Sequence, residues 1–169
     1  MITKDDLIGY FSKGEKDPSD VKIGTEHEKF VYAKNNLSLI PYDGDQSILK
    51  VFEKFITLGW VPIKEQNNII ALQKNQASIT LEPGGQLELS GAPLDNVHET
   101  CIEINNHLEI TKSIEEEENV GFLGIGFLPD GEFESVPRIP KKRYWKDIYG
   151  FRAYGWCRKY TLLVSQSRL

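Results

Sequence analysis

Two short stretches of this sequence hold four acidic residues in a pattern that could do chemistry. In Ile23 to Phe30, I-G-T-E-H-E-K-F, Glu26 and Glu28 are two apart on what reads as a strand, so their carboxylates point to one side of a sheet. In Ser78 to Leu94, S-I-T-L-E-P-G-G-Q-L-E-L-S-G-A-P-L, Glu88 lies between Leu87 and Leu89, and Glu82 immediately precedes a Pro-Gly-Gly break. A carboxylate turned toward a packed interior must be paired, protonated or bound to a cation. Four of them on neighbouring strands raise one another's pKa unless positive charge sits between them. Magnesium takes hard oxygen ligands and keeps positions open for water and phosphate, so a carboxylate-lined sheet face suggests a nucleotide-phosphate site. The same alternation also describes a half-exposed antiparallel strand whose acidic side faces water. Spacing alone leaves both readings open.

The flanking sequence supplies the elements that must position these groups. Val21 to Lys34 reads as a long strand that turns at Asn35-Asn36 into Leu37 to Tyr42, a hairpin. Ile69 to Gln73, Ala77 to Leu81 and Gln86 to Leu89 are short strands joined by turn residues, an antiparallel meander, and Pro62 assigns Trp60 to Lys64 to a sheet edge. Thr3 to Gly14 reads as a helix capped by Thr3, with Leu7, Ile8, Tyr10 and Phe11 expected in the core. Asp43 or Asp45 is expected to cap a second helix, rich in apolar residues from Ile48 to Leu58 and stopped by Gly59. The longest helix runs from about Asp95 to Glu118, with Val97, Cys101, Ile104 and Leu108 as its apolar stripe. That stripe makes Cys101 a buried small hydrophobe rather than a nucleophile. His98 and His107 do not share a helical face as metal ligands and read as structural or exposed. Glu115 to Glu118 reads as a solvated end, on the wrong side of the helix dipole. Val120 to Leu128 is apolar on both faces and reads as a buried strand. Its glycines do not spell a phosphate-binding G-x-G-x-x-G. The expected fold class is α+β: an antiparallel sheet with helices packed on one face and Glu26, Glu28 and Glu88 on the other.

With 169 residues, 40% of them apolar and 27% charged, the chain suits one globular domain. A net charge of −5 argues against a general binder of nucleic acid or anionic membrane. No apolar run reaches the roughly 20 residues of a membrane span. The first residues, M-I-T-K-D-D-L-I-G-Y-F, lack the charged tip and apolar stretch of a signal peptide, so a cytoplasmic location is expected. Cys101 and Cys157 read as free thiols, and no cysteine and histidine spacing suits zinc. Lys141, Lys142 and Arg143 form a basic cluster that fits a phosphate contact and a solvated loop equally well.

Three ordered blocks carry a more specific signal. I-G-T-E-H-E-K-F, then L-E-P-G-G-Q-L-E-L-S-G-A-P-L with H-E-T-C-I-E-I-N-N-H-L, then G-F-L-G-I-G-F-L-P with P-R-I-P-K-K-R-Y resemble the amino-terminal part of plant-type glutamate–cysteine ligases, the form shared by plants and many bacteria. The resemblance runs from about Val21 to Tyr144. It implies ATP-dependent joining of glutamate and cysteine into γ-glutamylcysteine, the first step of glutathione synthesis, in a fold similar to the glutamine synthetase catalytic domain. It also implies Mg2+ held by Glu26, Glu28, Glu82 and Glu88, directly or through water. Lys141, Lys142 and Arg143 would then contact ATP, and Gln86 and Ser90, on the same strand face as Glu88, would orient substrate. A glutamate side-chain carboxylate is a poor electrophile, so ATP must first convert it to an acyl phosphate that the amine of cysteine attacks. The protein's task is to neutralise phosphate charge and align the reactants. Expected partners are therefore glutamate, cysteine and ATP, with no nucleic acid and no membrane.

Two departures accompany the resemblance. Family members are much longer, so a large part of the usual enzyme lies outside this chain, leaving an open sheet edge that a second chain could complete. After Tyr144 the pattern is lost. The domain reading is thus 1–144 as the amino-terminal part of the catalytic domain and 145–169 as a divergent tail, rich in aromatic and basic residues, as a shifted reading frame or a truncated gene product would give. The alternative function is a non-catalytic remnant of the same fold that binds nucleotide or a partner.

Overall fold

A computed structural model describes residues 2–82, 85–126, 128, 136–142 and 144. Six strands, β1 (Glu26–Ala33), β2 (Val61–Glu65), β3 (Asn68–Lys74), β4 (Ala77–Leu81), β5 (Leu87–Ser90) and β6 (Val120–Leu123), form one antiparallel sheet in the order β2-β3-β4-β5-β1-β6. Three helices accompany them among the described residues: α1 (Lys4–Gly14), α2 (Ile48–Thr57) and α3 (Val97–Glu117). The fold is thus mixed α and β, with the anticipated meander from β2 to β5 and with Pro62 on an edge strand, where its missing N–H costs no ladder bond.

The core lies between the sheet and α2 and α3. Period-two burial in β4 and β5 turns Ala77, Ile79, Leu81, Leu87 and Leu89 inward, against Ile48, Val51, Phe52 and Phe55 of α2 and Ile114 of α3. Each such side chain, taken fully out of water, stabilises by about 1.5–3 kcal/mol. Gly59, at φ 87, ends α2 as expected. Its start differs: Ser47, not Asp43 or Asp45, is the cap, accepting from the Lys50 N–H and donating to the Gly44 carbonyl. Ser47→Ala should therefore cost ~1 kcal/mol in a urea melt, and Asp45→Ala less than about 0.5 kcal/mol. Equal losses would reassign the cap.

The apolar side of α1 is not in the core. Thr3 and Asp6 form a capping box that holds the helix locally, but none of its residues is buried and Phe11 is 75% exposed. α3 is rotated from the expected stripe. Thr100, His107, Thr111 and Ile114 face inward, while Val97, Cys101 and Leu108 are exposed. Hydropathy misses this because the two threonines satisfy their hydroxyls within the helix, on the Asn96 and Leu108 carbonyls, and so can be buried. The acidic helix end is not simply solvated either. Lys54 pairs with Glu117 and Glu118 at 2.8 and 3.0 Å, and Glu115 accepts from the Phe122 N–H.

Strand lengths also differ from expectation. β1 starts at Glu26, preceded by an isolated bridge between Ile23 and Leu94, and the segment after Asn36 returns through one bridge, Tyr32 to Leu39, instead of a strand. β6 is an edge strand with one open side, so it is buried at Val120 and Gly121 but exposed at Leu123.

Candidate carboxylate site

The register of β1 and β5 decides where the acidic groups go. Glu26 faces Ser90 and Glu28 faces Glu88, so with the period of two, Glu26, Glu28, Glu88 and Ser90 share the sheet face opposite the helices. The Gly91 N–H donates to the Thr25 carbonyl at 2.7 Å, which makes Thr25 and Gly91 a hydrogen-bonded pair. By alternation, Glu28 and Glu88 are a non-hydrogen-bonded pair, the kind whose side chains approach most closely. Two carboxylates directly opposite each other repel, and the neighbours offset this. Gln86 Nε2 donates to Glu28 Oε2 at 3.2 Å, and Ser90 Oγ donates to Glu88 Oε1 at 2.5 Å. Gln86 is buried, so its amide is held in place.

Glu82 continues the alternation of β4 beyond Leu81, beside Gln86, whose carbonyl accepts the Glu82 N–H. Thr80, opposite Glu88, and Ser78, opposite Ser90, also lie on this face. Sequence reasoning passed over both, although the alternation S-I-T-L-E in β4 contains them. Among the described residues no three His, Cys, Asp or Glu side chains form a group that could hold a metal ion. The carboxylates are therefore spread along the face, with Glu28 and Glu88 as its closest pair. That pair fits magnesium, which is commonly held by one or two carboxylates and completes its shell with water and phosphate oxygens.

A cleft of about 680 Å³ opens beside β1, lined by Glu26, Glu28, Ser90, Gly91 and the Gly124–Gly126 segment among others. Its volume is that of a small-molecule site. A Cβ on Gly124 would lie 3.9 Å from the Glu28 carbonyl oxygen, so this wall runs close to the strand. The basic cluster reaches the far end of β4. Lys141 Nζ donates to the Leu81 carbonyl at 3.2 Å and to the Tyr144 hydroxyl at 3.1 Å, and Tyr144 donates to the same carbonyl. Lys142 is exposed, with its backbone N–H on Glu65. Arg143 and Cys157 lie outside the described residues.

On the helix side of β1 stand His27 and Lys29. Lys29 is 7% exposed, and burial pulls its pKa down to about 8. His107, 4% exposed and stacked on Phe55, is pulled down to about 3 by burial and by Lys29 and His27. Burial, then Lys29, also lowers His27. No helix among the described residues is long and apolar enough to cross a membrane.

Comparison with known proteins places this geometry in a family. The model for glutamate-cysteine ligase family 2 matches residues 22–167, running past Tyr144 into the stretch expected to diverge. Glutamate–cysteine ligase A, chloroplastic, of Oryza sativa subsp. japonica is 47% identical over 85% of this chain and 29% of its own length. The chloroplastic glutamate–cysteine ligases of Arabidopsis thaliana and Medicago truncatula are each 46% identical over 85% of this chain, and over 27% and 28% of their own lengths. The chain thus spans less than a third of these curated relatives. Their chloroplastic names overturn the expected cytoplasmic location, which rested on the first residues of this chain alone. With most of its length inside the family match, the chain belongs to the glutamate-cysteine ligase family 2.

Proposed function

We propose that this chain supplies the magnesium-nucleotide side of a glutamate–cysteine ligase site, serving ATP-dependent ligation of glutamate and cysteine to γ-glutamylcysteine on a glutamine synthetase-like sheet. The observation that carries the reading is the Glu28–Glu88 pair, face to face and fixed by Gln86 and Ser90. Bound between such carboxylates, Mg2+ neutralises phosphate charge. Glu28 and Glu88 hold the ion, and Glu26 and Glu82 extend the acidic face to either side through water. Gln86 and Ser90 keep the two carboxylates aimed outward, so little reorganisation is left for the moment of binding. Lys141, Lys142 and Arg143 approach the phosphates from the end of β4. Glutamate and cysteine enter by the cleft along β1.

Because the chain spans less than a third of its relatives, a second reading stands beside this one: a nucleotide- or partner-binding remnant, completed along its sheet edge by a second chain. Two measurements separate them. Magnesium with ATP should raise the melting temperature of the 169-residue chain, since a ligand of the folded state stabilises it by mass action. A coupled assay should then show ADP release that depends on both glutamate and cysteine. A thermal shift without that turnover favours the remnant, and absence of both removes the magnesium-nucleotide reading.

A further inference from the structure

Behind the carboxylate face lies a buried polar cluster that the ligase reading leaves unused. Four atoms there, Thr25 Oγ1, Lys29 Nζ, Glu103 Oε2 and His107 Nε2, are buried with no hydrogen-bond partner. Lys29 and His107 are each more than nine-tenths buried. Buried polar atoms are almost always satisfied, and those that protein groups leave open are met by ordered water or an ion.

The cluster has two ends. At one, Glu103 Oε1 accepts from the Ala92 N–H, and a Cβ on Gly91 would meet Glu103 Oε2 at 2.2 Å and Thr25 Oγ1 at 2.8 Å, so these two oxygens flank the same glycine. At the other stand Lys29 and His107, with His27 between the ends, acted on by both Glu103 and Lys29. Desolvation alone acts on Lys29 itself. Glu103 is thus too remote to compensate the ammonium, and Glu28 and Glu88 point to the opposite face. Water could satisfy the Lys29 hydrogen bonds but would leave its charge unbalanced.

We propose that Lys29, with the imidazoles of His27 and His107 beside it, forms a site for a small monovalent inorganic anion of the chloride class. One ammonium balances one negative charge, and Lys29 Nζ and a His107 ring N–H are the donors. The ion must be small, because Lys29 Nζ is closed to solvent. Entry is from the cleft, which both His27 and Lys29 line. At the other end, Glu103 Oε2 and Thr25 Oγ1 take water.

The test compares melting of the chain in sodium chloride and in sodium gluconate at equal ionic strength. Chloride should raise the melting temperature saturably, by about 3 °C, and Lys29→Met should abolish the difference. Glu88→Gln should keep it, so failure of the ligase reading leaves this result intact. Equal melting in the two salts, or a chloride effect that survives Lys29→Met, overturns the proposal. Should Lys29→Met fail to fold, crystals of the unmodified chain grown in bromide decide. An anomalous peak beside Lys29 Nζ supports the site, and ordered water alone there overturns it.

Discussion

Glu88→Gln should weaken magnesium-dependent ATP binding about 100-fold, or ~3 kcal/mol, while the metal-free variant melts higher than the parent. The two effects have opposite signs for one reason. Without a cation, Glu28 and Glu88 are like charges directly opposite each other, an arrangement that destabilises a strand pair by about 0.2–1 kcal/mol. Glutamine removes that repulsion, keeps the side-chain volume, and leaves an amide oxygen to accept from Ser90 Oγ, whose bond to Glu88 is 2.5 Å. What it takes away is half of the anionic pair that attracts the ion. Calorimetric titration with magnesium and ATP, beside melts with and without metal, reads both arms. Unchanged binding together with unchanged metal-free stability would mean that the pair simply faces water.

Acidification should unfold the chain through His107 before most carboxylates are protonated. Its pKa is about 3 in the folded state, against 6.5 for an ordinary imidazole. Below pH 6.5 the unfolded chain therefore takes up a proton that the folded chain refuses, and stability falls with pH until the folded pKa is reached. Stability from this group is fully present above about 6.5 and is lost progressively toward 3. At about 1.4 kcal/mol per unit, the loss over that window is on the order of 4–5 kcal/mol, comparable to the whole stability of many domains. His107→Phe keeps a ring against Phe55, whose centroid is 6.1 Å away, and removes the titration. Its urea-derived stability, measured in gluconate, should stay nearly flat from pH 7 to 5. A parent-like acid slope in this variant would assign the effect elsewhere.

The sequence made the carboxylate face legible because a strand's period of two is short and unambiguous: E-H-E in β1 and Q-L-E-L-S in β5 each fix their own alternation. The helix side of β1 was not legible by the same rule. His27 and Lys29 are polar too, so E-H-E-K gives no hydropathy contrast to say which side is inside, and only the insertion of β1 between β5 and β6 beneath α3 decides it. α3 failed in a related way. Its inward residues include Thr100, His107 and Thr111, which a hydropathy count places outside. For α1 the local signal was right, with cap and apolar side both present, but a helix pattern carries no information about whether a surface exists to receive it.

The position of β1 has a consequence for how the molecule comes into being. The strand is made early, yet its neighbours are β5 and β6, and the Gln86–Glu28 bond closes a separation of 58 residues. Such long closures are entropically costly and slow. During synthesis the meander can zip up on its own, while Glu26 to Ala33 waits for the ribosome to release Val120 to Leu123. Until then it presents two bare backbone edges to any other nascent chain.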